Sequence, residues 1–165
     1  MEQLAGQIQQ NPGAARPLYL LTLLGADRCS AVEGRTRLIK LMFLVQKRVI
    51  EELKLGITRD AYNFRAFNYG PYSEDVYADF EFLRIRGLAQ VDGDDEAVQR
   101  FHLTPRGQAM ISRLVTNRTI SPAMFDETQR IKQTYGKLSL EKLLARVYAQ
   151  YPAFTTRSLI KERFG

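Results

Sequence analysis

The stretch FNYGPYSEDVYADFEFLRIRGLAQV, residues 67–91, decides how the rest of the chain is read. Gly70-Pro71 breaks an aromatic segment, because proline fixes φ and removes a donor while glycine tolerates whatever backbone the turn needs. Ser73 is placed to cap a following helix, with Glu74 and Asp75 in a first turn that favours negative charge. Val76, Phe80 and Leu83 then recur at helical spacing, with Tyr77 and Phe82 flanking them, and Gly87 ends the run. Gly70, Pro71 and Ser73 therefore read as a structural corner, with Tyr69 and Tyr72 wedged into it.

Upstream, AYNFRAFNY (61–69) alternates Tyr62, Phe64, Ala66 and Asn68 against its other residues, the pattern of a short strand that Gly70-Pro71 stops. PLYLLTLLGA (17–26) reads as a buried helix opened by Pro17 and closed near Gly25. EGRTRLIKLMFLVQKRVIEELKLG (33–56) reads as one long helix. Leu38, Leu41, Met42, Val45, Val49 and Leu53 line its core face, and Ile39, Phe43 and Ile50 widen the apolar arc. Its remaining strip carries Arg37, Lys40, Lys47 and Arg48, expected to be a solvated face, with a phosphate- or partner-binding strip as the competing reading.

Downstream, LAQV (88–91) and AVQRFHL (97–103) flank an Asp-Gly turn and predict a hairpin. Thr104-Pro105 is a cap followed by a first-turn proline, opening TPRGQAMISRLVTN. Two more helices are expected at about 121–135 and 139–151, and a short one in the tail FTTRSLIKERF. The order predicts a mainly α fold with a small β-hairpin in a single domain over 1–165. A winged-helix core of the helix-turn-helix group spans 17–120, and additional C-terminal helices form an extension over 121–165.

The apolar share of 45% and charged share of 25% in 165 residues fit one ordinary core. The net charge of +6 is unevenly spread: residues 61–100 hold four Lys and Arg against eight Asp and Glu, while 101–120 hold three against none. The ends are basic and the middle acidic. No apolar run approaches a membrane span, no secretory leader opens the chain, and Cys29 is a lone cysteine, so a cytoplasmic location without disulfides or membrane contact is expected. Catalysis finds little support. One histidine, His102, and one cysteine leave the usual zinc ligand sets out of reach, and no nucleotide or nucleophile motif occurs. Glu74, Asp75, Asp79 and Glu81 read as helix-dipole partners and a solvated acidic face. No enzyme, metal or cofactor is expected.

GRTRLIKLMFLVQ (34–46), FNYGPYSEDVYADFEFLRIRGL (67–88) and FHLTPRG (101–107) together resemble the YwgA-like proteins and the related Panacea antitoxin-domain proteins, over roughly residues 33–107. The Tyr-Gly-Pro-Tyr-Ser corner is the most specific part of that likeness. The resemblance implies a winged helix, and its Panacea side implies antitoxins that neutralise toxins by direct contact, or proteolysis adaptors.

Two functions are weighed on the residues themselves. The first is a non-enzymatic regulatory module that recognises a protein partner, as an antitoxin-like protein, an adaptor or an accessory subunit. Tyr69, Tyr72, Glu74, Asp75, Tyr77 and Asp79 are its candidate contacts, tyrosine being enriched at interface centres. The alternative is a DNA-binding transcriptional regulator using the wing and basic surfaces, with Arg37, Lys40, Lys47, Arg48, Arg100 and Arg106. Against it, the helix that would enter a groove begins with acids that repel phosphates. The C-terminal helices offer a surface for a homodimer or a second docking site.

Overall fold

The computed structural model describes residues 16–56, 62–68, 70–95 and 98–155; Tyr69, the segment 57–61 and the tail helix expected after residue 155 lie outside the described residues. Helix α1 (Arg16–Cys29) is buried at every position from Pro17 to Ala26. It is regular to Gly25, after which Asp27, Arg28 and Cys29 turn through left-handed backbone (φ 51, 56 and 58). Such geometry costs a non-glycine residue roughly 1–2 kcal/mol. The turn is held by Ser30 N–H donating to the Asp27 carbonyl (3.1 Å) and Asp27 N–H donating to Gln129 Oε1 (3.3 Å).

Strand β1 (Val32–Glu33) leads into α2 (Arg35–Val45), which continues as a π-helical segment over Gln46–Glu52. The single long helix expected from residue 33 is thus corrected at both ends. Glu33 belongs to a strand, and after Val45 the hydrogen bonds widen, Leu53 N–H reaching the Arg48 carbonyl at 3.0 Å. Val49 remains fully buried across the change.

Gly70-Pro71 does not stop a strand, as expected, but forms one. Strand β2 (Arg65–Phe67) pairs antiparallel with β3 (Gly70–Tyr72), Phe67 opposite Gly70 and Arg65 opposite Tyr72. Proline is tolerated because this ribbon has only two strands, so its missing donor faces no partner strand. Helix α3 (Glu74–Ile85) follows. Ser73 holds the cap position, yet its side chain makes no capping hydrogen bond, and Glu74 and Asp75 alone compensate the first turn.

Strands β4 (Ala89–Asp92) and β5 (Arg100–Leu103) form the expected hairpin, and β1 adds to its far edge, Val32 opposite Phe101, giving the order β1-β5-β4. Helix α4 (Pro105–Thr116) starts as expected: Thr104 Oγ1 accepts from Gly107 N–H at 3.1 Å and donates to the Gly87 carbonyl at 2.5 Å. Helices α5 (Pro122–Tyr135) and α6 (Leu140–Gln150) are capped by Ser121 and Ser139, and a 3-10 turn covers Pro152–Thr155. The fold is mainly helical with a small antiparallel sheet. Its core is continuous: Leu18, Phe43, Phe80, Met124, Leu143 and Val147 belong to one buried cluster, so the C-terminal helices share the core of the first half. Among the described residues, no helix is long and apolar enough to cross a membrane.

The join between hairpin and α4 is tight enough to test. A Cβ at Gly107 would collide with the Leu88 carbonyl oxygen, whose partner is Thr104 N–H at 3.0 Å. Gly107→Ala is expected to destabilise the protein by about 1–3 kcal/mol, read as a lower urea midpoint at unchanged slope.

Candidate functional site

The corner is built from four sides. Gly70 adopts φ 93, and a Cβ there would come within 2.7 Å of the Tyr148 ring, so the position needs glycine for conformation and for space. Pro71 is buried, and its carbonyl accepts from Lys40 Nζ at 2.9 Å. The half-buried Tyr72 ring lies 5.4 Å from Phe67 and 6.3 Å from Tyr77. The Arg35 guanidinium sits 4.1 Å over Tyr77. Tyr72 and Tyr77 are therefore packed against this protein's own side chains, and Tyr69 lies outside the described residues.

The acidic start of α3 is neutralised locally. Arg65 reaches the exposed Glu74 at 3.2 Å, and Arg16 Nη1 reaches Asp75 at 3.1 Å. Asp79, expected on a solvated acidic face, is only 4% exposed. Arg16 Nε and Nη2 donate to its two oxygens at 2.8 and 3.1 Å. Helical phase explains the correction: three residues after Val76 and four before Leu83, Asp79 lies on their buried face. Burial pushes its carboxyl up, and Arg16 and Tyr62 pull it back. Burial also holds the neighbouring Tyr62 phenol well above its ordinary range.

The basic strip on α2 is taken up too. Lys40 is 3% exposed rather than solvated, because its position on α2 faces β3 and its ammonium is needed at the Pro71 carbonyl. Burial lowers its pKa to about 7. Arg37 is half-buried and donates to the Gly136 (3.2 Å) and Leu138 (2.5 Å) carbonyls in the turn between α5 and α6. Lys47 and Arg48 pair one turn on with Glu51 and Glu52, both at 3.0 Å. In the hairpin region Arg100 lies 3.9 Å from Glu33, His102 Nε2 contacts Asp92 at 2.7 Å, and Arg106 is exposed on α4. Cys29 Sγ donates to the Gly25 carbonyl at 3.5 Å. Among the described residues, no group of three or more His, Cys, Asp or Glu is placed to hold a metal ion.

With those groups engaged, the outward face of α3 stands out. Ala78 and Glu81 are exposed, Phe82 is half-buried, and Ile85 is 72% exposed. Glu81 pairs with Arg84 at 2.7 Å, and the Arg86 guanidinium lies 3.4 Å from the centre of the Phe82 ring. This face includes none of the binding residues proposed from sequence, although the signal was there. Nine residues beyond Val76, Ile85 is half a turn out of phase with the buried set. Arg16 and Arg65, which quench the carboxylates, were missed because they are 63 and nine residues away in sequence.

No protein-family model matches the chain, and no curated protein matches it either.

Two measurements check this geometry. Asp79→Ala leaves Arg16 without its bidentate partner in a half-buried site, and is expected to cost about 2–3 kcal/mol by chemical denaturation. Lys40 gives a pH signature. Its folded pKa of about 7 lies below the unfolded value of roughly 10.4, so the unfolded chain binds the extra proton between those pH values. Stability must then rise with pH across that window, by up to roughly 1.4 kcal/mol per pH unit, and the full cost of burying the charge is present below pH 7. Lys132, lowered to about 8, adds to the same trend. Urea midpoints measured from pH 7 to 10 should climb in the wild type and climb less steeply in Lys40→Met.

Proposed function

We propose that the chain is a winged-helix regulatory module that works by recognising a protein partner through the outward face of α3, without catalysing a reaction. Support for the winged helix comes from connectivity. Helix α1, strand β1, helix α2, helix α3 and the β4-β5 hairpin follow one another in that order, with β1 paired on β5 to complete a three-stranded sheet. Residues 53–73 are then an insertion between the second and third helices, holding the β2-β3 ribbon.

The observation that carries the function is the spacing on α3. Ala78, Phe82 and Ile85 stand at i, i+4 and i+7, anchor positions of a helix laid into a hydrophobic groove, with the Glu81–Arg84 pair beside them. Ile85 is the largest exposed apolar side chain on that helix, at 72%, and Arg84 and Arg86 form a charged rim beside it. A groove-reading helix of a DNA-binding protein would present donors and cations to base edges and phosphates here, not isoleucine. The resemblance over residues 33–107 to Panacea antitoxin-domain proteins supports the same reading and gives it a role: an antitoxin-like protein, adaptor or accessory subunit whose target is a protein.

The test is affinity capture of the tagged full chain from its native cells, with and without nuclease, read by mass spectrometry. A near-stoichiometric protein should survive nuclease with the wild type and be lost with Ile85→Glu, while Lys142→Ala, an exposed change on α6, retains it. At 72% exposure, Ile85→Glu leaves thermal stability within a few tenths of a kcal/mol. Undiminished capture by Ile85→Glu removes the α3 face from consideration.

A further inference from the structure

Helix α4 carries a different surface. Its buried side is Gly107, Met110, Ile111 and Leu114. Exposed around the other side are Arg106, Ser112, Arg113 and Thr116, and Arg118 follows in left-handed backbone (φ 63). Arg106 and Arg113, seven residues apart, fall on one flank and stand about 10 Å apart along the axis. The stretch 101–120 contains no aspartate or glutamate.

Most arginines elsewhere are engaged, Arg28 and Arg146 being exposed without a carboxylate partner among the described residues. Arg16, Arg48, Arg65, Arg84 and Arg130 each face a carboxylate, and Arg37 holds backbone carbonyls. Among the described residues, Arg106, Arg113 and Arg118 have no acidic partner. Arg106 also stands in the first turn of α4, where no acid accompanies it and a cation opposes the helix dipole. A locally unfavourable charge without internal compensation is the kind of local conflict that functional sites carry.

We propose that this face of α4 binds the phosphate backbone of a nucleic-acid duplex. Arginine guanidinium groups and serine and threonine hydroxyls are the side chains that contact phosphate oxygens. The roughly 10 Å from Arg106 to Arg113 corresponds to about three base-pair rises along a duplex axis, so the two guanidinium groups can reach separate phosphates. The face has no exposed aromatic or large aliphatic side chain, since the exposed large apolar residues are Leu53, Ile85, Val98 and Leu140. It therefore lacks both the apolar anchor of a protein hot spot and the wedge of a membrane-inserting helix. The site stands apart from α3 and does not depend on the protein-recognition reading.

The experiment is fluorescence anisotropy of the full chain with a labelled DNA duplex of about two helical turns, titrated between about 50 and 200 mM salt. The wild type should bind with log affinity falling linearly in log salt. The triple variant R106Q/R113Q/R118Q should bind more than tenfold more weakly at the lowest salt. Its salt slope should be shallower by about 2.7, at roughly 0.9 for each phosphate no longer neutralised. All three side chains are exposed, and an unchanged melting temperature confirms that the variant keeps its fold. Ile85→Glu should leave duplex binding untouched, which separates failure of this proposal from failure of the α3 reading. Absence of duplex binding at the lowest salt, an unaltered slope in the triple variant, or binding of an acidic protein or anionic vesicles in place of the duplex would each overturn it.

Discussion

Because α1 is buried from Pro17 to Ala26, the carbonyls at its C-terminal end have no water to accept from, and Lys132 supplies the donors. Its Nζ donates to the carbonyls of Leu24 (3.2 Å), Ala26 (2.8 Å) and Ser30 (2.7 Å), so all three ammonium hydrogens are used. An unmatched buried carbonyl costs on the order of 1–3 kcal/mol, and two, of Leu24 and Ala26, sit here together beside the half-buried Ser30. The same bonds hold the left-handed turn at Asp27–Cys29 and fasten α5 to the end of α1. Burial lowers the ammonium's pKa to about 8, while Cys29 and Asp27 work in the opposite direction. A lysine in the second half of the chain thereby completes a helix in the first.

Lys40 and Arg37 repeat the device. Lys40 reaches across from α2 to the Pro71 carbonyl, and Arg37 reaches the carbonyls at Gly136 and Leu138 that end α5 and begin the approach to α6. Each satisfies backbone that no neighbouring strand or helix reaches. The formal charge of +6 therefore overstates the cationic surface, because several of its charges are turned inward onto peptide oxygens. Counting charges along a sequence treats every lysine as solvated, and a basic strip on an amphipathic helix invites that reading. What separates Lys40 from Lys47 is a carbonyl thirty-one residues away, which periodicity does not see.

Features that depend on local chemistry were legible. Thr104-Pro105 starts α4, and Val76, Phe80 and Leu83 face the core from α3; the hairpin β4-β5 was legible too, although Asp92 pairs with Arg100 inside it and residues 93–99 make the connection in place of a tight Asp-Gly turn. Features that depend on distant pairing were not. Two residues of β1 become a strand only because β5 lies beside them, and Gly70-Pro71-Tyr72 becomes one only because β2 folds back on it. Asp79 is the intermediate case. Its phase with Val76 and Leu83 was sufficient to place it inside, but a buried carboxylate is credible only with a cation, and Arg16 lies sixty-three residues upstream. Ile85 was legible by the same phase argument with the opposite sign, as an apolar residue on the wrong side of its own helix.

The corner and the pairs around it give α3 little freedom. Lys40 grips Pro71, Tyr148 fills the space under Gly70, β2 fixes the register of β3, and Arg16 clamps Asp75 and Asp79. Every one of these interactions acts on the N-terminal half of the helix or on the strand that feeds it. The C-terminal half, from Phe80 to Ile85, is thereby held in place while its outer side is left open. A rigid helix face loses less conformational entropy on docking than a mobile loop would, which favours the proposed recognition through Phe82 and Ile85. Sealing the acidic first turn with arginines has a second effect: it removes the charge that would repel an acidic partner without creating a cationic surface that attracts phosphate. Helix α4 instead carries unpaired positive charge, Arg106 and Arg113 standing on the flank of a helix with no acid of its own. The two proposed surfaces therefore lie on separate helices, and either can be altered by substitution without disturbing the core they share.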